Sequence, residues 1–337
     1  MNGPLEGVKI IDLTSMISGP SATMILADQG ADVVKIEQPE VGDDTRNFGP
    51  PFIQDVSTYF LSVNRGKRSI TLDMKCPKNQ LIAQKLAMKA DVLVENFRSD
   101  VMDNLNMSAD ILLKKNPRLI YASLTGYGEV GPDADRTAYD SMAWWARSGL
   151  MDWVRPSDNS PVAWSTPGMG DHPTGMALYG AIITALYKRQ LTGKGSEVST
   201  SLMANGAWAN GVFIQAALMG VEFADRSEPL PRHPFYDFYR TKDNREFALG
   251  LINATREWPK LAKAINRIDL LNDSRFEGDN LIENGYDICE MEWKSILFQI
   301  CFGLSVAQKN YDFVHNDLHS SNIMFKETPD EYLYFKL

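Results

Sequence analysis

The stretch of sequence that decides the fold reads VKIIDLTSMISGPSATMILADQGADVVKIE over residues 8–37. It begins with a short, mostly apolar run that has the length of a buried strand, and it ends with a similar run over residues 32–37. Between them, Ser18 and Pro20 are typical of the start of a helix, and Gly30 is typical of a helix end. The stretch therefore predicts a strand, a helix and a second strand.

The same alternation continues toward the middle of the chain. Further strands are predicted at residues 69–73, 91–95 and 119–124, and helices at residues 78–89 and 109–115. Strands that alternate with helices at this spacing pair in parallel and carry helices on both faces of the sheet. We predict an α/β fold with a doubly wound, mostly parallel, Rossmann-like sheet, whose ligands bind beyond the carboxyl ends of the strands.

Two features suggest a dinucleotide site, and a third argues against it. Gly19 lies in the first strand-to-helix turn, and Glu37 ends the second predicted strand. The G-x-G-x-x-G pattern that lets a backbone approach a pyrophosphate is missing from this turn. The sequence therefore disfavours a nicotinamide dinucleotide as ligand.

Composition limits the classes of partner. The chain has 337 residues and a formal net charge of −9, which disfavours a general nucleic-acid binder, because nucleic acid is itself densely negative. Three widely spaced cysteines form no zinc-binding pattern and predict reduced thiols. The amino terminus lacks a signal-peptide pattern, and polar residues interrupt the apolar stretch 202–221. We expect a cytoplasmic protein with no structural metal and no membrane span.

The sequence predicts two domains and a separate tail. Residues 1–225 form the large domain. Residues 226–286 begin a smaller α+β domain with a hairpin within 235–251 and a helix over 258–268, and this domain is expected to be truncated. Residues 287–337 follow a different pattern, described below.

The segment most informative about chemistry reads TPGMGDHPTGM over residues 166–176. Two glycines precede Asp171, and a run with helical spacing follows it. Glycines let backbone N–H groups approach a ligand, and a helix N-terminus favours negative charge. The pattern predicts an ionised Asp171 with amide donors beside it, which suits a carboxylate nucleophile that attacks an acyl group. Spacing alone leaves an ordinary helix-capping aspartate as the alternative.

Ordered phrases from residue 4 to about residue 285 carry a family resemblance. They include GVKIIDLT at 7–14, LADQGADVVKIE at 26–37, NRGKRSITLDMK at 64–75, VENFR at 94–98, TGYG at 125–128 and GKG at 193–195. With these phrases the chain resembles the class III CoA-transferases of the CaiB/BaiF type. That family includes formyl-CoA transferase, 2-hydroxyacid CoA-transferases and alpha-methylacyl-CoA racemase.

The resemblance implies a function and a mechanism. Coenzyme A would pass from an acyl-CoA donor to a carboxylic acid acceptor, with Asp171 as the catalytic carboxylate that forms an acyl anhydride and then an aspartyl-CoA thioester. Coenzyme A is then a substrate, and neither a metal nor a tightly bound cofactor is required. A homodimer is also implied.

The resemblance further implies which residues contact coenzyme A. A local basic cluster of Arg65, Lys67, Arg68 and Lys75 would hold the phosphates, because lysine and arginine bind phosphate by charge-assisted hydrogen bonds. A solvated strand edge is the alternative interpretation of this cluster. The full set of expected contacts is Arg46, Lys67, Arg68, Leu72, Lys75, Asn96, Arg98 and Tyr139.

Within the family, transfer is favoured over racemisation. The racemase branch needs a histidine directly before an aspartate, where this chain has Tyr139 before Asp140. Tyrosine has an unperturbed pKa of about 10 and substitutes poorly for that histidine. The phrases at 125–129 and 168–172 are most similar to those of CoA-transferases that act on 2-hydroxy acids, which makes such an acid the expected substrate.

The tail 287–337 resembles a fragment of a protein kinase-like catalytic loop. His315, Asp317 and Asn322 match the H-x-D-x-x-x-x-N pattern of that loop, but the phosphate-binding loop, lysine and D-F-G segment of a kinase are missing. We therefore expect no kinase activity. An inactive CoA-binding chimera with this tail stays open as an alternative to an active transferase.

Overall fold

A computed structural model of the protein describes residues 3–223, 226–227, 235–240, 244–251, 253–264 and 267–277. The chain divides into two compact units, Met1–Pro229 and Leu230–Leu337. The tail predicted over residues 287–337 lies outside the described residues. Within the described part of the chain, no helix is long and apolar enough to cross a membrane.

The first unit is built on a six-stranded sheet. Its strands are β1 (Lys9–Asp12), β2 (Asp32–Glu37), β5 (Arg68–Thr71), β6 (Val92–Glu95), β7 (Ile120–Thr125) and β8 (Ser196–Ser201). They lie in the order β5-β2-β1-β6-β7-β8, and every neighbouring pair is parallel. The chain builds outward from β1 to one edge and returns to build from β6 to the other. The prediction of a doubly wound parallel sheet is confirmed, and its topological switch point lies between β1 and β6.

Helices cover both faces of this sheet. Consecutive strand residues point to opposite faces, so Ile10 and Ile11 belong to two different cores. One core is closed by α1 (Ser18–Asp28) and α7 (Asp171–Thr192). The other is closed by α3 (Pro77–Ala87), α4 (Ser99–Asn104) and α5 (Ala109–Lys115). The apolar runs of the central strands β1, β6 and β7 are therefore buried on both sides, whereas the edge strand β5 is exposed.

Several elements of the first unit were not predicted. The edge strand β8 contains a single apolar residue, Val198, and so has no apolar pattern to reveal it. The predicted helix over 202–219 is divided at Asn210 into α8 (Leu202–Ala209) and α9 (Gly211–Leu218). The remaining additions are short, namely a 3-10 turn (Asp44–Asn47), β3 (Phe52–Ile53), β4 (Val56–Ser57), α2 (Thr58–Asn64), the helix α4 given above, a π-helical turn (Ser141–Ala146) and α6 (Leu150–Trp153).

The second unit contains an antiparallel hairpin and a helix. The strands are β9 (Tyr236–Arg240) and β10 (Glu246–Gly250), close to the predicted hairpin. The helix α10 (Ala254–Ala264) begins four residues before the predicted start at residue 258. Its side chain Trp258 packs with Phe235 and Phe276 in a small aromatic core.

Candidate active site

The loops after β1 and β6 are tied together at the switch point. The Ser15 N–H donates to Asn96 Oδ1 at 2.9 Å, and Asn96 Nδ2 donates to the Ser15 carbonyl at 2.8 Å. Both residues follow strands whose carboxyl ends meet at this edge of the sheet, where ligands of doubly wound sheets bind. The sequence predicted a role for Asn96 here, and the contact with Ser15 occupies two of its hydrogen-bonding groups.

A buried ion pair stabilises the loop after β1. Lys35 Nζ lies 2.8 Å from Asp43 Oδ2 and donates to the Thr14 carbonyl at 2.5 Å. Asp43 Oδ1 accepts the N–H of Met16 at 3.4 Å, and Met16 has a left-handed backbone with φ of 70°. A non-glycine residue in this conformation costs about 1 kcal/mol or more, so the loop is held in shape by its contacts.

Lys67 belongs to the same buried region. Its side chain is 2% exposed, and Nζ lies 3.0 Å from Asp12 Oδ2, 3.0 Å from the Pro20 carbonyl and 2.8 Å from Asn64 Oδ1. An ammonium group has three donors, and these three oxygens engage all of them. Burial lowers the pKa of Lys67 to about 8, against the opposing charge of Asp12. Lys67 therefore has no donor directed at solvent in this structure.

Asp171 is the first residue of α7, and Gly170 is its N-cap. The helix packs closely on α1, because a Cβ at Gly175 would lie 2.6 Å from the Ser18 carbonyl oxygen. This close approach brings the Ser18 hydroxyl within hydrogen-bonding reach of the Asp171 carboxylate. The helix start that the sequence predicted is thus next to the loop after β1.

The charge of Asp171 differs from the expectation. Burial raises its pKa to about 7, the negative charge of Asp140 adds to this effect, and the Ser18 hydrogen bond opposes it. The raised pKa departs from the expectation of a carboxylate that amide donors keep fully ionised, because removal from water and a second carboxylate outweigh the hydrogen bond. An aspartate with this pKa is a stronger base than an ordinary one and still carries charge near neutral pH.

A cavity of about 550 Å³ opens onto Asp171. Its walls are the loop residues Met16 and Ile17, the segment 47–50, Tyr59, the segment 139–141, Pro167 and Gly168. The lining is mostly apolar and aromatic, with a few neutral polar groups, and Asp140 and Asp171 are its charged residues. An apolar wall that includes a half-buried carboxylate suits the acyl part of a ligand.

Most of the other predicted contact residues lie near the carboxyl ends of the strands or line the cavity. Arg46 is half-exposed, binds both carboxylate oxygens of Glu37 at 2.7 Å, and lies over the Phe60 ring. The Leu72 N–H donates to the Glu37 carbonyl, which places Leu72 at the carboxyl end of β2. Arg46, Asn96 and Lys67 also adjoin the carboxyl ends of the central strands. Lys75 and Arg98 are exposed just beyond β5 and β6, and Tyr139 lines the cavity.

Arg68 is placed elsewhere. It begins β5 and pairs at 2.6 Å with Asp32, which begins β2, so the pair lies at the amino-terminal edge of the sheet. Arg65 pairs with Asp28 at the end of α1. The structure therefore does not bring the predicted basic cluster together at one surface.

Two residues of the site were missed by sequence reasoning. Asp140 accepts the Gly170 N–H at 3.0 Å, and the Ser18 hydroxyl is within hydrogen-bonding reach of Asp171. Asp140 was noted only as the neighbour of Tyr139, and Ser18 only as a helix start. No local pattern signals either contact, since each joins distant parts of the chain.

Comparisons with known proteins show the family of the chain. A family model described as CoA-transferase family III matches residues 5–308. The mouse (Mus musculus) succinyl-CoA:glutarate CoA-transferase is 39% identical over 285 residues, which cover 82% of this chain and 63% of that protein. The chain thus spans less than two thirds of the length of that relative. The (R)-2-hydroxy-4-methylpentanoate CoA-transferase of Clostridioides difficile is 32% identical over 97% of this chain and 85% of its own.

A solved structure of a CaiB/BaiF family protein from Brucella suis has the same fold. It superposes with a TM-score of 0.77 at 31% identity and covers 92% of this chain and 82% of that chain. The family model continues past residue 287 to residue 308, so the predicted kinase-like fragment finds no support in these comparisons.

Proposed function

Because the chain belongs to CoA-transferase family III, we propose that it transfers coenzyme A from an acyl-CoA donor to a carboxylic acid acceptor. One observation carries the proposal: a half-buried carboxylate with a raised pKa, Asp171, lines a mostly apolar cavity. Transfer chemistry needs a carboxylate that is partly stripped of water, because desolvation increases its nucleophilicity toward a thioester.

The proposed reaction proceeds through covalent intermediates on Asp171. Its carboxylate attacks the thioester carbonyl, the C–S bond breaks and CoA thiolate leaves, which produces an acyl-aspartyl anhydride. The thiolate then attacks the aspartyl carbonyl, giving an aspartyl-CoA thioester and releasing the donor acid as its carboxylate. The acceptor carboxylate repeats these steps in reverse, which gives the new acyl-CoA and free Asp171. Each difficult exchange is divided into easier ones, and the Ser18 hydroxyl holds the attacking carboxylate.

For the nucleotide part of coenzyme A, we propose contacts with Arg46, Leu72, Lys75, Asn96 and Arg98, and Tyr139 is proposed for the acyl end. The position of the first five near the carboxyl ends of the strands supports this assignment, because that edge binds ligands in doubly wound sheets. The buried, fully bonded Lys67 is better explained as a support for the loop after β1. Arg68, at the opposite edge, is left out of the proposed site.

A 2-hydroxy acid is the proposed acceptor class. The apolar and aromatic walls of the cavity favour an apolar substituent, and the neutral polar side chains of Asn47 and Ser141 offer partners for a hydroxyl group. A second carboxylate on the substrate would instead meet Asp140 and Asp171 without a cationic side chain in the described lining. A relative named for a branched 2-hydroxy acid covers nearly all of this chain.

We also propose a homodimer. Trp208, Val212, Leu218 and Met219 on and after α8 and α9 are strongly exposed apolar side chains. Such a concentration of apolar surface is unusual for a monomer and fits an interface with a second copy. Light scattering at assay concentration measures the molar mass, and a monomer at all concentrations contradicts the proposal.

The decisive experiment is a thioester-exchange assay with the Asp171→Asn variant. We expect exchange between acyl-CoA donors and a panel of 2-hydroxy, aryl and dicarboxylic acids, with loss of exchange and of hydroxylamine-trapped acyl-enzyme in the variant. The matched control is Asp110→Asn on α5, which lies on the other face of the sheet.

Other outcomes separate the alternatives. Exchange that survives in Asp171→Asn refutes the nucleophile. Thermal stabilisation by coenzyme A without exchange supports an inactive CoA-binding protein. Deuterium uptake from heavy water next to the thioester, without exchange, supports the racemase alternative.

A further inference from the structure

We infer that Asp140 is a positioning residue for this acyl transfer: its carboxylate anchors the turn before α7 and holds a second negative charge beside Asp171, which acylation of Asp171 relieves. The inference rests on the proposed function. It assigns a role to a residue that sequence reasoning noted only as the neighbour of Tyr139.

The geometry of Asp140 is that of an anchor. The residue is 8% exposed, and its Oδ2 accepts the N–H of Gly170, the N-cap of α7, at 3.0 Å. Gly170 also packs closely against Trp144, because a Cβ added at Gly170 would lie 2.5 Å from Cγ of Trp144. Trp144 belongs to the π-helical turn that begins directly after Asp140. The residue before Asp171 is therefore held by one hydrogen bond and one close ring contact from the same segment.

The side chains that line the cavity beside Asp171 are neutral or negatively charged. The charge of Asp140 acts on Asp171, and Tyr139 and Tyr59, both neutral side chains, line the same cavity. From α1, Asp171 receives the Ser18 hydroxyl. None of these groups is a cation at neutral pH.

The nearest basic side chains are engaged elsewhere. The His172 ring lies beneath Gly168, and its Nδ1 is 3.3 Å from the Ser21 hydroxyl. Arg46 is bound by both oxygens of Glu37. In the part of the chain that the structure describes, the charge of Asp140 beside Asp171 is thus not offset by a cation in the cavity lining.

The reaction changes the charge of one member of this pair. Free Asp171 is anionic when it attacks, but in the anhydride and in the CoA thioester the same residue is neutral. The repulsion between the two carboxylates is present before acylation and absent after it. Asp140 therefore raises the free energy of the free enzyme relative to the acylated enzyme, and it adds to the burial that raises the pKa of Asp171, so it moves the acid limit of activity to a higher pH.

The test separates the charge of Asp140 from its hydrogen bond. D140N keeps an oxygen acceptor for Gly170 and removes the charge, D140E keeps the charge, and D140A removes both. We expect the acid limb of kcat/KM in D140N to move about one pH unit lower, with a severalfold smaller fraction of trapped acyl-enzyme. The limb stays near its original pH in D140E, and D140A shows both the shift and a lower kcat.

Two results overturn the inference. One is an acid limb that stays in place in D140N while kcat falls at every pH, which indicates a structural role alone. The other is an unchanged acyl-enzyme fraction in D140N. If D140N does not fold, D140S, which is smaller and keeps an oxygen, must give the same shift.

The remaining variants distinguish the role of Asp140 from the proposed function itself. D110N must leave the profile unchanged. Surviving exchange in Asp171→Asn refutes the function itself, whereas an inactive Asp171→Asn together with an unmoved limb in D140N refutes only the role of Asp140.

Discussion

Replacing Lys67 by methionine tests whether this lysine supports the fold or binds phosphate. Methionine keeps the length and removes the charge, so buried Asp12 loses its ion-pair partner and keeps only the attraction of Lys35. Breaking one side of a buried ion pair costs about 3–5 kcal/mol. Asp12 keeps hydrogen bonds from the Thr14 N–H at 2.9 Å, the Thr14 hydroxyl at 2.5 Å and the Thr23 hydroxyl at 2.8 Å. These bonds compensate in part, so we expect the lower end, about 3 kcal/mol.

Arg68→Met is the matched control for this measurement. The Arg68 side chain is 67% exposed, and its pair with Asp32 is a surface pair worth less than about 1 kcal/mol. Urea unfolding without ligand, followed by fluorescence, compares the two variants with the parent protein. The double variant Asp12→Asn with Lys67→Met should regain stability, because no uncompensated charge remains.

The refuting result combines stability with affinity. If Lys67→Met loses less than about 1 kcal/mol, as a surface lysine would, and weakens coenzyme A binding tenfold or more by calorimetry, then Lys67 is a phosphate ligand. The buried arrangement predicts the opposite, with a large loss of stability and an affinity that changes little in whatever fraction stays folded.

Two further substitutions test other contacts. Burial raises the pKa of Glu95 to about 7, and the charges of Glu129 and Glu197 add to this effect. Between about pH 4.5 and 7 the folded state therefore binds more protons than the unfolded state. The free energy of unfolding falls as the pH rises through this interval. Glu95→Gln should remove this slope in urea midpoints measured across that interval and be roughly 1–3 kcal/mol more stable at pH 8; an unchanged slope contradicts it. Gly170→Ala places a Cβ 2.5 Å from Trp144 and should cost about 1–3 kcal/mol and lower kcat, and a variant as stable and active as the parent would show that this turn is not tightly packed.

The central strands and helices could be predicted because each leaves a local pattern. Apolar runs such as Ile10 with Ile11 are buried on both faces of the sheet, and α5 spans the predicted residues 109–115. The strand β8 could not be predicted, because an edge strand with one apolar residue depends on pairing with β7 rather than on its own composition. The division at Asn210 likewise reflects a tertiary contact, since its Nδ2 donates to the Ser148 carbonyl.

The candidate site was predictable only in outline. Two glycines before an aspartate at a helix start draw attention to Asp171, but the same pattern fits a helix-capping aspartate, and the family resemblance is what implies its catalytic role. The sequence could not indicate that Lys67 is buried and Arg68 exposed, although they are adjacent, because burial depends on which element covers each side chain. It grouped both as one basic cluster on charge alone.

The sequence by itself determined the alternation of the central strands and helices, the presence of a helix just after Asp171 and the resemblance to a family of CoA-transferases, because these depend on residues close together along the chain. Only the tertiary structure decided the chemistry around that aspartate. Asp140 reaches it through Gly170, 30 residues away along the chain, and Ser18 reaches it through the packing of α1 on α7. The pKa of a carboxyl group depends on water excluded and charges brought near, and both are properties of the folded chain.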